Sequence, residues 1–157
     1  MDSRTALSEE VQANQSAVDA FDEAVAVYLS VNRTDLRCLD VLSRTEAATP
    51  TQLGAALGLT TGSVTAMLDR LEKLGYLTRS PDPSDRRKVI VRATPVVGEA
   101  AIVAYGPIAE EGMRLLDGYT DEQVDLLLDF TRRTRELYDQ QLARIQALAA
   151  QKRATRG

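Results

Sequence analysis

The stretch Thr60–Thr94, TTGSVTAMLDRLEKLGYLTRSPDPSDRRKVIVRAT, constrains this chain more than any other. Val64, Met67, Leu68, Leu71 and Leu74 recur at helical spacing and share one face. Thr60 or Thr61 can cap that helix with a hydroxyl, and Gly75 stands where a left-handed stop is easiest. Tyr76 to Arg79 then has strand character. Ser80 to Asp85 is a turn cluster containing Pro81 and Pro83. Lys88 to Ala93 alternates, with Val89 and Val91 on one face. The spacing predicts a helix followed by a two-stranded hairpin whose returning edge opens with Arg86, Arg87 and Lys88.

The polar face of the helix carries Gly62, Ser63, Ala66, Asp69, Arg70 and Lys73, with Thr61 at its start and Thr65 on its flank. Small residues near the N-terminus let a backbone come close. Hydroxyls reach phosphates or bases, and arginine can bond guanine with two N–H groups. Such a face suits a DNA major groove, although a polar outer face is also the default for a soluble helix. Three consecutive cations at a hairpin tip can lie along phosphates or enter a narrow minor groove. They can also simply keep an edge strand soluble. Helix and cationic hairpin in immediate succession favour a recognition helix with a wing.

These residues resemble the MarR (multiple antibiotic resistance regulator) family of winged-helix transcription factors. The family's wing motif is Asp-x-Arg, five residues, then Leu-Thr. Here it reads Asp85-Arg86-Arg87, then Lys88 to Arg92, then Ala93-Thr94, with Ala93 replacing the leucine. Ser63-Val64-Thr65 and Asp69-Arg70-Leu71-Glu72 before Gly75 match the recognition-helix signature. The likeness runs from about Asp19 to Ala149 and is densest between Thr34 and Gly98. It implies a mainly α fold with a small β wing: one domain over 1–157, with a winged helix-turn-helix lobe over 34–94. Helices over 8–32 and 95–151 would form a dimerisation lobe. It also implies that Arg70 and the outer N-terminal residues of the helix meet the major groove. Asp85 would brace the wing, and Arg86 or Arg87 would enter the minor groove.

The net charge of −4 is unevenly spread. Residues 1–59 hold 4 basic and 9 acidic residues, 60–92 hold 7 and 4, and 93–157 hold 8 and 10. The positive charge is concentrated in the helix–hairpin unit, and an acidic remainder would orient an encounter with DNA. The first twenty residues are polar and acidic, which predicts no secretory leader. No apolar run approaches the ~20 residues that span a bilayer. A single cysteine fits a reducing compartment, so the expected location is the cytoplasm.

Elsewhere the periodicity predicts a helix from Ser8 to about Ser30, after a frayed start over residues 1–8. A second helix, capped by Thr34, runs to about Arg44. A short one opens at Thr49-Pro50 and stops at Gly58. Thr51 and Gln52, at its start, can bond phosphates or merely cap. Thr94-Pro95 opens a helix towards Leu116 that Gly106-Pro107 is expected to interrupt and kink. Thr120 and Gln123 form a capping box before a last helix of roughly thirty residues. Its long apolar stripe, including Leu127, Leu137, Leu142 and Ile145, calls for a second subunit. The tail from Lys152 is expected to be disordered.

There is no histidine. Ser-His and Cys-His nucleophiles and His-based metal sites are excluded, and no Gly-rich phosphate loop occurs. The expectation is a non-enzyme without cofactor or metal. The resemblance points to a homodimeric regulator, more often a repressor, on a pseudo-palindromic double-stranded operator. It also points to release by a small aromatic or phenolic effector, with Tyr28 and Tyr105 as candidate pocket residues. Two alternatives stand beside it: a winged-helix protein-interaction module, and a redox sensor acting through Cys38. Cys38 lies beside Leu39 in a helix of core character, which reads as a small buried hydrophobe.

Overall fold

The computed structural model describes residues 2–155. Six helices and one hairpin follow in the order α1 Ser3–Tyr28, α2 Arg33–Ser43, α3 Pro50–Leu57, α4 Thr61–Lys73, β1 Leu77–Pro81, β2 Val89–Ala93, α5 Pro95–Leu116 and α6 Asp121–Ala154. The chain divides into two compact units, Met1–Pro107 and Ile108–Gly157.

The core of the first unit is built from α2, α3, α4 and the root of the hairpin. Leu39, Leu42, Leu53, Met67, Leu68, Leu71, Leu77 and Val91 are buried together. A smaller cluster gathers Val25, Ala26, Leu29 and Leu36, with Phe21, Tyr76 and Tyr105 packed on it. The recognition-helix periodicity therefore holds, except that Leu74 is exposed. It stands at the C-cap, past the last turn that faces the core.

Three turns between elements use one device. Residues Ser30, Gly58 and Gly75 have φ of 57°, 68° and 74°. The next residue's N–H reaches back over the helix end: Val31 to Ala26 O (2.9 Å), Leu59 to Gly54 O (2.9 Å) and Tyr76 to Leu71 O (3.0 Å). This left-handed stop turns the chain sharply and satisfies orphan carbonyls. Glycine takes it without strain at two sites, and Ser30 occupies the third.

β1 and β2 pair antiparallel, from Leu77 opposite Ala93 to Pro81 opposite Val89. Ala48, between α2 and α3, adds a single bridge to Val91, with N–H···O distances of 3.0 and 2.8 Å. Within the alternating face, Val91 is buried but Val89 is exposed, because only the root of the hairpin lies over the core.

Several boundaries differ from expectation. α1 begins at Ser3, so residues 3–8 are helical. α2 is capped by Asn32, not Thr34: the Asn32 side chain accepts from the Asp35 N–H, and Asp35 accepts from the Asn32 N–H. The Thr94 hydroxyl donates to the Gly75 carbonyl at 2.6 Å instead of capping α5. Pro107 sits inside an unbroken α5. Residues 152–154 belong to α6, whose opening Thr120–Gln123 box is present as expected; residues 156 and 157 of the expected disordered tail lie outside the described residues. No described helix is long and apolar enough to cross a membrane.

Polar ties fix α1 to its neighbours within the first unit. Arg33 pairs with Asp19 (3.1 Å) and Asp22 (3.3 Å). Tyr105 on α5 donates to Asp22 at 3.0 Å. Tyr76 donates to the Leu29 carbonyl at 3.1 Å.

Candidate nucleic-acid interface

α3 and α4 form a helix-turn-helix around Gly58-Leu59-Thr60. Gly54 lets them approach: a Cβ there would lie 3.1 Å from Val64 Cγ2 and 3.4 Å from the Leu59 carbonyl. Thr60 is the N-cap of α4, its hydroxyl accepting from the Ser63 N–H at 3.3 Å and contacting Ser63 Oγ at 2.9 Å. The outer face of α4 is open. Thr61, Gly62, Ser63, Thr65, Ala66 and Lys73 are all exposed. The Thr65 hydroxyl is turned back onto the Thr61 carbonyl at 3.1 Å. Thr51 is exposed and, with Thr61 and Thr65, lines a cleft of about 370 Å³ where α3 and α4 begin. Gln52 is spent on capping: its carbonyl oxygen accepts from the Thr49 N–H (2.8 Å) and hydroxyl (3.1 Å).

Arg70 does not hang free. Its Nε donates to Asp35 Oδ2 at 3.2 Å and its Nη2 to Asp35 Oδ1 at 2.7 Å. The Asp35 side chain is 3% exposed and that of Arg70 49%. The hydrogen bond to Asp35 holds the guanidinium pKa above its ordinary value. Sequence reasoning missed Asp35. Its Asn32-x-x-Asp35 spacing signals a capping box, but nothing local announces a partner 35 residues away. Arg70 also lines a second cleft, of about 490 Å³, with Asn32, Thr34, Ser63 and Ala66.

The wing is fastened to α4 by a second arginine that sequence reasoning missed. Arg79 on β1 donates from Nε to Glu72 Oε2 (3.0 Å) and from Nη2 to Asp69 Oδ1 (2.7 Å). Its backbone N–H donates to Glu72 Oε1 at 3.1 Å. Hydrogen bonding to Arg79 holds the Glu72 carboxyl below its usual range. Both acids lie on α4, so this arginine ties the hairpin to that helix.

At the wing tip two aspartates fold the loop. Asp82 Oδ1 accepts from the Ser84 N–H (2.7 Å), the Ser84 hydroxyl (2.6 Å) and the Asp85 N–H (3.3 Å), and the Ser84 bonds pull its pKa down. Asp85 Oδ1 accepts from the Arg87 N–H at 3.1 Å, and the Asp85 carbonyl from the Lys88 N–H at 2.8 Å. Arg86, Arg87 and Lys88 are exposed. Among the described residues neither Arg86 nor Arg87 has an acidic partner, while Lys88 Nζ stands 3.9 Å from Asp85.

The two tyrosines of the expected effector pocket are not equivalent. Tyr28 is exposed on α1. Tyr105 is half-buried, edge-on to Phe21 with ring centroids 5.5 Å apart. Burial, then the bond to Asp22, pushes its hydroxyl up to about 12. Neither lines the clefts beside α4. Cys38 is fully buried, and burial followed by the charge of Asp35 pushes its thiol up to about 12. Burial of this kind disfavours the thiolate through which oxidants react. No cluster of acidic, Cys or His side chains among the described residues could hold a metal.

The MarR family model matches residues 31–89, from the approach to α2 through the wing tip. A helix-turn-helix-type transcriptional regulator of Bacillus subtilis, YcgE, is 36% identical over 125 residues, covering 80% of this chain and 81% of its own. Wild-type MarR from E. coli superposes with a TM-score of 0.58 at 22% identity, over 82% of this chain and 96% of that one. A mutant of S. aureus MepR, solved bound to an oligodeoxyribonucleotide, gives 0.60 at 16% identity over 83% and 97%. Winged-helix geometry, the family match and a relative matched over 80% of this chain agree: this chain belongs to the MarR family of transcriptional regulators.

Proposed function

We propose that the protein works as a homodimer that grips a pseudo-palindromic DNA operator. The observation that carries this reading is the shared exposure of the small-residue face of α4 and of Arg86 and Arg87 at the wing tip. Each subunit lays α4 in a major groove, with Thr61, Gly62, Ser63, Thr65 and Ala66 nearest the bases and Lys73 towards phosphate. Thr51 and Lys88 contact the backbone. Gln52 reaches it only through the amide nitrogen that its capping role leaves over. Arg86 or Arg87 enters the minor groove, with Asp85 bracing the loop.

Exposed apolar area supports the pairing of two copies. Leu126, Leu137, Leu142 and Ile145 on α6 are each more than half exposed, as are Ile102, Val103 and Met113 on α5. Fully burying an exposed side chain of this kind contributes about 1.5–3 kcal/mol and covering a half-exposed one correspondingly less, so several of them together favour a second copy of these helices. The lobes follow as residues 34–94 for DNA and 8–32 with 95–151 for the dimer. The two recognition helices then lie about one turn of DNA, ~34 Å, apart. We further propose repression relieved by a small aromatic molecule that binds one half-site spacing better than the other. Tyr28 and Tyr105 are its candidate contacts.

The test is binding to fragments of the source genome, followed by titration of the selected site. Arg87→Ala should weaken binding to all duplexes and lower the salt slope by about one per site. Retention of no fragment at moderate salt would instead favour a protein-interaction module, with the cationic tip meeting an acidic partner. Phenols titrated into the complex without release would remove the effector from the proposal.

A further inference from the structure

We propose that Asp35 is a specificity-determining residue: it holds Arg70 side-on so that the arginine presents one fixed edge to a guanine. This rests on the DNA-binding reading above. A guanidinium has two edges able to make paired hydrogen bonds, the Nε/Nη2 side and the Nη1/Nη2 end. Asp35 takes the first, through both oxygens, at 3.2 and 2.7 Å. Among the described residues, Nη1 has no recorded acceptor, and half of the side chain is exposed while its partner carboxylate is buried. The open edge therefore belongs to the solvent side.

That side is the outer face of α4. Ser63, Ala66 and Arg70 fall at intervals of three and four residues and line one cleft. Two of them are too small to crowd a base pair beside the arginine. Guanine offers O6 and N7 as adjacent acceptors in the major groove, the match for two parallel N–H donors. No other base offers two.

The tether makes the match selective. An unrestrained arginine loses rotamer freedom on binding and can swing to a phosphate instead. Here it is ordered beforehand. Asp35 is itself fixed, because it accepts from the Asn32 N–H and its own N–H is bound by the Asn32 side chain. Release of Arg70 would strand a buried carboxylate, which is strongly unfavourable. The pair thus persists on DNA, and Asp35 acts without touching it.

Selection of bound duplexes from a randomised pool, with position weights compared between variants of the full chain, tests this. The wild type should prefer guanine at one position per half-site by about tenfold. Arg70→Ala should abolish that preference and leave the others. Asp35→Asn should lower it at the same position with little change in affinity for scrambled duplex, and should add nothing in the Arg70→Ala background. A merely structural Asp35 would lower affinity across all positions alike, which overturns the inference. So does an Asp35→Asn profile equal to wild type, or an Arg70→Ala profile with its guanine weight intact. Should Asp35→Asn fail to fold, Asp35→Ser removes the tether with a smaller side chain that can still cap, and a guanine weight equal to wild type in it is equally fatal. A wild type that retains no duplex sinks the DNA-binding reading itself.

Discussion

Cys38 and Ser30 show how much one position can say about stability. Cys38 sits in the core with its folded pKa raised from an ordinary 9.0 to about 12. A raised acid pKa means the folded state prefers the neutral thiol. That preference is whole below 9.0 and is lost as pH rises from there towards 12. Chemical unfolding followed from pH 7 to 10 should therefore show the wild type losing stability faster than Cys38→Ala. Under native conditions the thiol should resist an aromatic disulfide reagent until the chain unfolds; rapid labelling of the folded protein would contradict its burial. Ser30 carries a φ of 57° in a turn whose two counterparts use glycine. Left-handed backbone costs a non-glycine residue about 1–2 kcal/mol, and glycine's extra chain entropy returns part of that. Ser30→Gly should stabilise by about 0.5–1 kcal/mol, read as a higher denaturant midpoint with an unchanged slope.

At the scale of elements, the relation between recognition helix and wing depends on Arg79 and its two acids. The Glu72 carboxyl is held below its usual range by that arginine. A depressed folded pKa stabilises above the unfolded value and is lost as pH falls through the folded one. The difference in Tm between wild type and Glu72→Gln should accordingly be present at pH 7 and shrink as the pH is taken below about 4.3. The α3–α4 contact is tight at Gly54, where even a Cβ would stand 3.1 Å from Val64. Gly54→Val should cost about 1–3 kcal/mol by overpacking, and should weaken specific DNA binding more than the stability loss explains, because α4 is displaced. Most of this architecture was legible in the chain. The 3.6-residue pattern around Leu68 and Leu71, the alternation around Val91 and the glycines at 58 and 75 are local signals, and each landed on its element. What was illegible is contact between positions distant in sequence. Asp35 drew no notice and Arg70 looked like an unattached reader, since the pairing arises only when α2 packs beside α4. Thr34 looked like the cap because a hydroxyl beside an apolar run is the common signature, but Asn32 forms a reciprocal box with Asp35.

At the scale of the whole molecule, apolar side chains left open on α5 and α6 forecast assembly. Replacing both Leu137 and Leu142 by Glu should shift the protein from two copies to one in sedimentation and reduce operator affinity sharply, since one half-site alone would be held. An unaltered sedimentation coefficient would place the dimer contact elsewhere. Charge works at the same scale. In the proposed DNA encounter, a chain of net charge −4 would repel a polyanion from most of its surface and direct it towards the helix–hairpin unit.

The bridge between Ala48 and Val91 has a mechanical consequence. Two hydrogen bonds of 2.8 and 3.0 Å clamp the hairpin towards its base, while among the described residues the loop from Asp82 to Asp85 is bonded only to itself and its own strands. The hairpin is a cantilever. Deflection grows towards the free end, so Arg86 and Arg87 can sweep an arc while the anchored end keeps its distance from α4. On the DNA-binding mode proposed above, such a beam would follow variation in the width of the neighbouring furrow while the register set by α4 is kept.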